Sequence, residues 1–291
     1  MLDRETGEIA TGYEIKRIRR LSDAQREAKK ADSLLEQVTI DNGGYVFALF
    51  KSDLIHIGDG DNALTSADMA RLLYLGTYIG WSDGKLRSDN GKVVYTKKHL
   101  SQLLGLSRNK AHDLYVKLIA TGVLLEDEQG ALYISPRYFY RGKDIIKKIH
   151  EEDVRYTRVF IETVRQLYQV YGKSKSASRL GVLYRILPYI NFAYNIVCHN
   201  PRESDFEKLQ AIPVSDLATI LGYAQVRELT NTITILKTTT GQPLFCYFGS
   251  SRNRQGLIVN PYTIYAGNAN TLKLAEDIFK IARSIRQKKA I

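Results

Sequence analysis

The sequence predicts an α+β fold, mainly helical, in which one structural unit is used twice. Three observations carry this. Residues 96–142 pass from helical spacing to short β-prone runs, in the order helix, turn, helix, hairpin. Gly105, Gly122 and Gly130 stand where that unit has to end a helix or turn a hairpin. Three anchors from the first half then recur, in the same order, in the second.

Taken in order, residues 1–37 hold eight basic and eight acidic side chains and little apolar content. Lys16, Arg17, Arg19 and Arg20 form a basic knot ahead of a helix expected over 22–37, with Ser22 and Gln25 set as a capping box. Residues 1–40 read as a charged arm or a partly disordered tail, and the composition favours the tail. Gly43 and Gly44 precede a strand at 45–50 (YVFALF). Residues 64–80 form an amphipathic helix capped by Thr65 or Ser66, followed by a polar loop at 81–91 and a short strand at 93–95.

The next helix, over 98–104, places Leu100, Leu103 and Leu104 on one face. Gly105 sits at its C′ position and Ser107 caps a second helix. That helix buries Ala111, Leu114, Tyr115, Leu118 and Ile119 and closes at Gly122. Strands at 123–126 and 131–134 flank a turn at Glu128, Gln129 and Gly130. Together these make a winged helix-turn-helix. Its second helix leaves Arg108, Asn109, Lys110, His112, Asp113 and Lys117 outside. Arg, Asn and Lys at a helix N-terminus suit the base edges and phosphates of a major groove. A solvated face on another helical protein is the competing account, and a hairpin at the right distance weighs against it.

Residues 143–171 read as a long helix and 172–178 (GKSKSAS) as a small, polar, basic linker. Beyond them the repeat begins. LLYLGTYIG (72–80) aligns with LYRILPYIN (183–191), HLSQLLGLS (99–107) with DLATILGYA (216–224), and ISPRYFYRG (134–142) with VNPYTIYAG (259–267). The offset grows from 111 to 117 to 125, which puts the insertions in loops. The expected organisation is two tandem winged helix-turn-helix domains from an internal duplication, at 41–142 and 179–268, joined by a helical linker at 143–178. In the second domain the helices fall at 214–221 and 225–237, leaving Gln225, Arg227, Glu228 and Asn231 outside. Its hairpin, 243–248 with 257–260, carries Arg252 and Arg254 at the tip, which suits a phosphate or minor-groove contact as well as plain solvation. Thr230, Thr232, Thr234, Thr238, Thr239 and Thr240 make the second recognition-like helix a poor helix former, so its surface could pack on protein instead. The chain ends in a basic amphipathic helix at 270–289.

The formal net charge of +11 calls for an anionic partner, first a nucleic acid and next a membrane surface. With no apolar run of about 18 residues and a charged N-terminus, no membrane partner is expected. Cys198 and Cys246 stand far apart without CxxC spacing, which excludes a disulfide framework and a zinc ribbon and fits a reducing cytosol. No phosphate-binding loop, HExxH, EF-hand or GxSxG occurs, so no enzyme, catalytic residue, metal or cofactor is expected. His150, Glu151, Glu152 and Asp153 are adjacent on a helix and point in different directions. His199-Asn200-Pro201-Arg202 is an HxxR of the kind tyrosine recombinases use, here inside a long loop of the repeat. It supplies the enzyme alternative.

The segment TKKHLSQLLGLSRNKAHDLYVKLIATGVLLEDEQGALYISPRYFYRG resembles the winged-helix segment of replication proteins from Gram-positive plasmids and phages. The doubling resembles the two-winged-helix initiators of theta-replicating plasmids. The resemblance covers 64–142 by motif and 183–267 by architecture, and the threonine-rich second helix departs from it. It implies that each domain lays a helix in the major groove of one origin repeat and that one domain also makes a dimer contact. On this reading Lys97, Lys98, Arg108 and Lys117 hold phosphates beside Ser107. Asn109, Lys110 and His112 read bases, Gln225, Arg227 and Asn231 act in the second domain, and the wings touch flanking backbone. The expected partners are double-stranded DNA, a second copy of the chain, and host or phage replication or transcription proteins, in the cytoplasm of a bacterial host. A phage transcriptional regulator is the alternative with the same chemistry.

Overall fold

The computed structural model describes residues 22–50, 57–142, 154–173, 176–249 and 256–288. The fold is mixed α+β, mainly helical, with small antiparallel sheets. Helix α1 (Asp23–Asp41) starts at a capping box: the Gln25 N–H donates to Ser22 Oγ at 3.2 Å and the Ser22 N–H to Gln25 Oε1 at 3.0 Å. The tail reading fails for this part. Leu34, Leu35 and Val38 pack with Phe160, Tyr265, Leu272 and Ala275, so an apolar stripe on a charged helix is enough to dock it. The basic knot at 16–20 lies outside the described residues.

The central sheet joins β1 (Tyr45–Phe50), β4 (Phe139–Tyr140), β5 (Arg155–Phe160) and β8 (Ile264–Tyr265) in the order β4-β1-β5-β8, antiparallel throughout. Alternation along β1 sends Val46, Ala48 and Phe50 into the main core and Phe47 and Leu49 to the opposite face. Strand β5 corrects the long helix expected over 143–171. Its residues, RYTRVF, are aromatic and β-branched, and they pair along the whole of β1 from Tyr45↔Phe160 to Phe50↔Arg155. Helix α5 begins only at Ile161 and runs to Tyr171.

In the first half β1 meets β4 at Phe47↔Tyr140 and Ala48↔Phe139; in the second β5 meets β8 at Arg158↔Tyr265 and Val159↔Ile264. These pairs are displaced by 111 on one strand and 125 on the other. Phe47 and Arg158 also face each other across the centre of the sheet. Six of the eight single bridges among the described residues behave alike. Ile79↔Leu86, Arg87↔Val94 and Lys85↔Tyr133 have counterparts in Ile190↔Val197, Cys198↔Ala211 and Ile196↔Ile258. Val94 makes one bridge in place of the strand expected at 93–95.

Helix α2 (Ser66–Gly76) is capped by Thr65 and Asp68. Opposite it lie α6 (Ala177–Leu180) and α7 (Val182–Arg185), separated at Gly181. A Cβ on Gly181 would stand 1.8 Å from the Ser66 carbonyl oxygen, and Ser66 Oγ donates to the Ser178 carbonyl at 2.7 Å. The expected linker is therefore not one: Ala177 and Leu180 are buried against α2, an approach the small residues permit. Residues 174–175 lie outside the described set.

Helices α3 (Lys97–Leu104) and α4 (Arg108–Ala120) lead to a hairpin of β2 (Leu124–Glu126) and β3 (Leu132–Ile134). Helices α8 (Val214–Ile220) and α9 (Val226–Ile235) lead to a hairpin of β6 (Phe245–Phe248) and β7 (Gly256–Val259). Each hairpin exits through Tyr-x-Gly, where a Cβ on Gly142 would lie 2.5 Å from the Tyr140 hydroxyl and one on Gly267 2.3 Å from that of Tyr265. Helix α10 (Ala269–Lys288) then packs on α1 and the β6–β7 hairpin. One hydrophobic cluster runs through both halves, taking in Leu72, Leu100 and Leu118 as well as Leu183, Leu217 and Leu229. The two halves share a core rather than hanging from a linker.

Candidate nucleic-acid interface

The turn between α3 and α4 is fixed by its own backbone. Gly105 takes φ 62°, and the Leu106 N–H donates to the Ser101 carbonyl at 2.9 Å while Ser101 Oγ donates back to the Leu106 carbonyl at 2.7 Å. Tyr168 of α5 donates to the last carbonyl of α3, that of Leu104, at 3.1 Å. Ser107 then caps α4 by accepting from the Lys110 N–H at 3.4 Å.

Helix α4 buries Ala111, Leu114 and Leu118, which leaves Arg108, Asn109, Lys110 and His112 exposed at its start, with Asp113 beside them. Lys97 and Lys98 are exposed at the start of α3. Among the described residues, none of Lys97, Lys98, Arg108 and Lys110 lies within 4.0 Å of a carboxylate. Both helix N-termini add positive potential to these cations. Lys97 Nζ stands 4.5 Å over the ring of Tyr115, whose hydroxyl donates to Glu126. The His112 ring lies nearly parallel to that of Tyr115, with centroids 6.5 Å apart.

Two expectations for this half are corrected. Lys117 stands two turns beyond Lys110, half-buried, with Nζ 3.7 Å from Asp68. Asp68 also receives Arg71 at 2.6 Å and Thr65 Oγ1 at 2.8 Å, so Lys117 completes the ion cluster that caps α2 and is not set to hold a phosphate. The β2–β3 tip carries Glu126, Asp127 and Glu128. Asp127 accepts from the Tyr133 hydroxyl at 2.7 Å and from the Ala131 and Gln129 N–H groups at 2.8 and 3.0 Å, which holds its carboxyl below the usual range. An ionised, acidic tip repels a phosphate backbone.

In the second half Gly222 takes φ 66°, and Arg185 caps the Leu221 carbonyl where Tyr168 caps Leu104. Gln225, at the N-cap, and Arg227, Glu228 and Asn231 on α9 are exposed, one cation beside one anion. The helix stops at Ile235, short of the expected Lys237. Tyr171 accepts from the Lys237 N–H at 3.1 Å, and Thr239 Oγ1 donates to Gln166 at 2.7 Å. The threonine-rich end is thereby tied to α5. Arg252 and Arg254 lie outside the described residues, as does the run 150–153.

Lys173 belongs to this surface although its sequence neighbours read as linker. It is exposed, and its Cε lies 3.7 Å from where a Cβ on Gly105 would be, beside the α3–α4 turn. The only hint was the basic composition of GKSK. The HxxR motif is a loop device: Asn200 donates to the Lys208 carbonyl at 2.9 Å and accepts from the Gln210 N–H at 2.8 Å. Cys198 and Cys246 are free and buried, and burial pushes the Cys198 thiol up to about 12, far from a reactive thiolate. Among the described residues no cluster of His, Cys, Asp and Glu could hold a metal ion, and no helix is long and apolar enough to cross a membrane. No family model, no curated protein and no solved structure matches the chain.

Proposed function

We propose that the chain is a sequence-specific double-stranded DNA-binding protein, built as two tandem winged helices by internal duplication, which initiates replication of a phage or plasmid from repeated origin sites in the bacterial cytoplasm. One observation carries the DNA reading. At the start of α4, Arg108, Asn109 and Lys110 are exposed together, and the two cations and their neighbours Lys97 and Lys98 have no carboxylate partner among the described residues. Asn matches adenine in the major groove, and Arg or Lys matches guanine. Lys97, Lys98 and Lys173 flank the turn and supply backbone contacts. The duplication is supported by strand pairs and bridges that recur at the offsets of the sequence repeat. The replication role rests on the resemblance of 96–142 to plasmid and phage replication proteins. A second copy of the chain and replication or transcription proteins of the host or phage are the protein partners of this reading.

The test begins by selecting bound duplexes from a random pool and measuring affinity by fluorescence anisotropy across a salt series. Arg108→Ala and Lys110→Ala are each expected to weaken binding about tenfold. Removing a cation that neutralises one phosphate is expected to flatten the log–log salt slope by about 0.9. Unchanged affinity in both variants overturns the assignment of α4. Selected sites that occur as direct repeats beside an AT-rich tract support initiation, whereas an inverted repeat over a promoter replaces it with transcriptional regulation.

A further inference from the structure

A pocket of about 540 Å³ opens between the end of α2, the 80–91 loop and the start of α5, with Thr77, Trp81, Arg87, Asp89, Arg141 and Arg165 on its wall. A second, of about 290 Å³, occupies the corresponding place in the other half. There Pro188, Phe192 and Ala266 stand where Thr77, Trp81 and Arg141 stand in the first, at offsets of 111, 111 and 125. Arg155 and Arg202 line the second pocket too, so the two differ not in having cations but in the pair Trp81 and Arg141, which the second lacks.

The three guanidiniums differ in how they are satisfied. Arg87 pairs with Asp83. Arg165 donates to Thr77 Oγ1 at 3.0 Å, the Thr77 carbonyl at 2.9 Å and Asp89 at 2.6 Å, and lies 3.9 Å over the Tyr78 ring. Arg141 has no carboxylate within 4.0 Å among the described residues. Its Nη1 reaches the Ile79 carbonyl only at 3.5 Å, and its buried Nε has no hydrogen-bond partner. Burial and the neighbouring Arg165 both push its pKa down, the mark of a desolvated cation beside a like charge. Such a group is costly to desolvate unless an anion compensates it. Of the carboxylates at the pocket, Asp89 is already spent on Arg165, and exposed Glu162 accepts from Gln166 at 3.2 Å.

Beside Arg141 stands the chain's single tryptophan, Trp81, 62% exposed, with the guanidinium 5.2 Å from its ring centroid. An indole left in solvent on a charged pocket is a stacking platform for a flat ring. The volume lies within the range of small-molecule sites, about 300–1,000 Å³. We propose that this pocket binds a nucleoside phosphate, with the phosphate on the free edge of Arg141 and the base stacked on Trp81. The planar fork of Arg141, with Arg165 adding positive charge beside it, favours a phosphate over a singly charged carboxylate. The site lies at the far end of α5 from the α3–α4 turn and stands independently of the DNA reading.

Trp81 is its own reporter. Titrating the full-length protein with a purine mononucleotide is expected to change its fluorescence saturably, with affinity at least about tenfold above that for inorganic phosphate. Arg141→Ala installs the residue that stands at this position in the second pocket and is expected to weaken binding at least about tenfold with an unchanged circular dichroism spectrum. Trp81→Phe, followed by calorimetry, is expected to retain phosphate affinity and lose most of the preference for the nucleotide. No saturable change at millimolar nucleotide, equal affinity for inorganic phosphate, or binding undiminished in well-folded Arg141→Ala overturns the proposal. A 5′-phosphorylated single strand that competes supports the site and identifies the ligand as a strand end; failure to compete beside a binding mononucleotide supports it and identifies the ligand as a free nucleotide.

Discussion

At the start of α4 the exposed side chains are Arg108, Asn109 and Lys110; at the start of α9 they are Val226, Arg227 and Glu228. Beneath them several contacts recur at the offsets of the sequence repeat. Both turns use a left-handed glycine, Gly105 and Gly222, and in both a side chain from elsewhere donates to the carbonyl of the leucine just before it, Leu104 or Leu221. Bridges and strand pairs recur at fixed offsets. The two pockets repeat the lesson, with Trp81 and Arg141 answered by Phe192 and Ala266. Backbone pairing and buried packing constrain the frame, because disrupting either leaves polar groups unsatisfied or a cavity open. Exposed positions carry no such cost, so positions related by the offsets can differ freely in surface chemistry.

The largest expected effect comes from breaking the frame where the halves meet. Gly181→Ala places a methyl group against the Ser66 carbonyl, a backbone atom that cannot swing away. A destabilisation on the order of 3 kcal/mol is expected, as lower urea and thermal midpoints for the whole chain, since one core serves both halves. Early unfolding of the second half alone would separate the halves energetically.

Alkaline titration is the next lever. Burial pushes the Tyr168 and Tyr265 hydroxyls up to about 12 from an ordinary 10.0. Because the folded-state values are raised, their contribution is fully present below pH 10 and is lost as pH rises towards 12, where the unfolded phenols ionise first. At about 1.4 kcal/mol per unit, each should cost on the order of 2 kcal/mol by the end of that window. Urea midpoints from pH 8 to 12 should fall steeply, and Tyr168→Phe should flatten the fall while costing about 1 kcal/mol at neutral pH because its hydrogen bond to Leu104 is gone. A wild-type slope retained by that variant would remove Tyr168 from the account.

Much of the frame is legible in the sequence because it is local. The Gly105 turn, the Ser107 cap and the Ser22–Gln25 capping box are written in consecutive residues and occur as read. Strand β5 escapes a local reading because RYTRVF follows a charged run of helical composition, and its partner β1 lies more than a hundred residues upstream. Extending the offset of 111 backwards lays it against residues 44–49, GYVFAL, most of β1. The small residues at 176–178 look like linker chemistry, yet smallness also lets helices touch, and only packing separates the two. At the candidate interface, exposure of Arg108, Asn109 and Lys110 follows from periodicity. The pairing of Lys117 with Asp68 does not, since it joins different helices.

The contrast between the helices is sharpened by matched substitutions. Arg108→Ala or Lys110→Ala is expected to weaken specific duplex binding about tenfold, and Arg227→Ala only a few-fold, because Glu228 already offsets its charge. Measured side by side by anisotropy, an Arg227 effect equal to or above that of Arg108 would reverse the order of the two helices. Restoring charge tests the same point from the other side: Glu228→Lys should tighten binding and steepen its salt dependence if α9 lies near DNA.

The smallest effect separates two lysines within the first half. Lys98 and Lys117 have the same charge, but Lys98 is exposed and without a carboxylate partner among the described residues, whereas Lys117 lies 3.7 Å from buried Asp68. Lys117→Ala should cost up to about 1 kcal/mol of stability, because Arg71 and Thr65 still hold Asp68. It should leave the salt slope of DNA binding unchanged, since its ammonium is already committed. Lys98→Ala should do the reverse, leaving the melting midpoint in place and flattening the slope by about 0.9. The pair of readouts matters more than either value. A flattened slope in Lys117→Ala would mean that the bridge to Asp68 opens on binding and that the end of α4 reaches the phosphates after all.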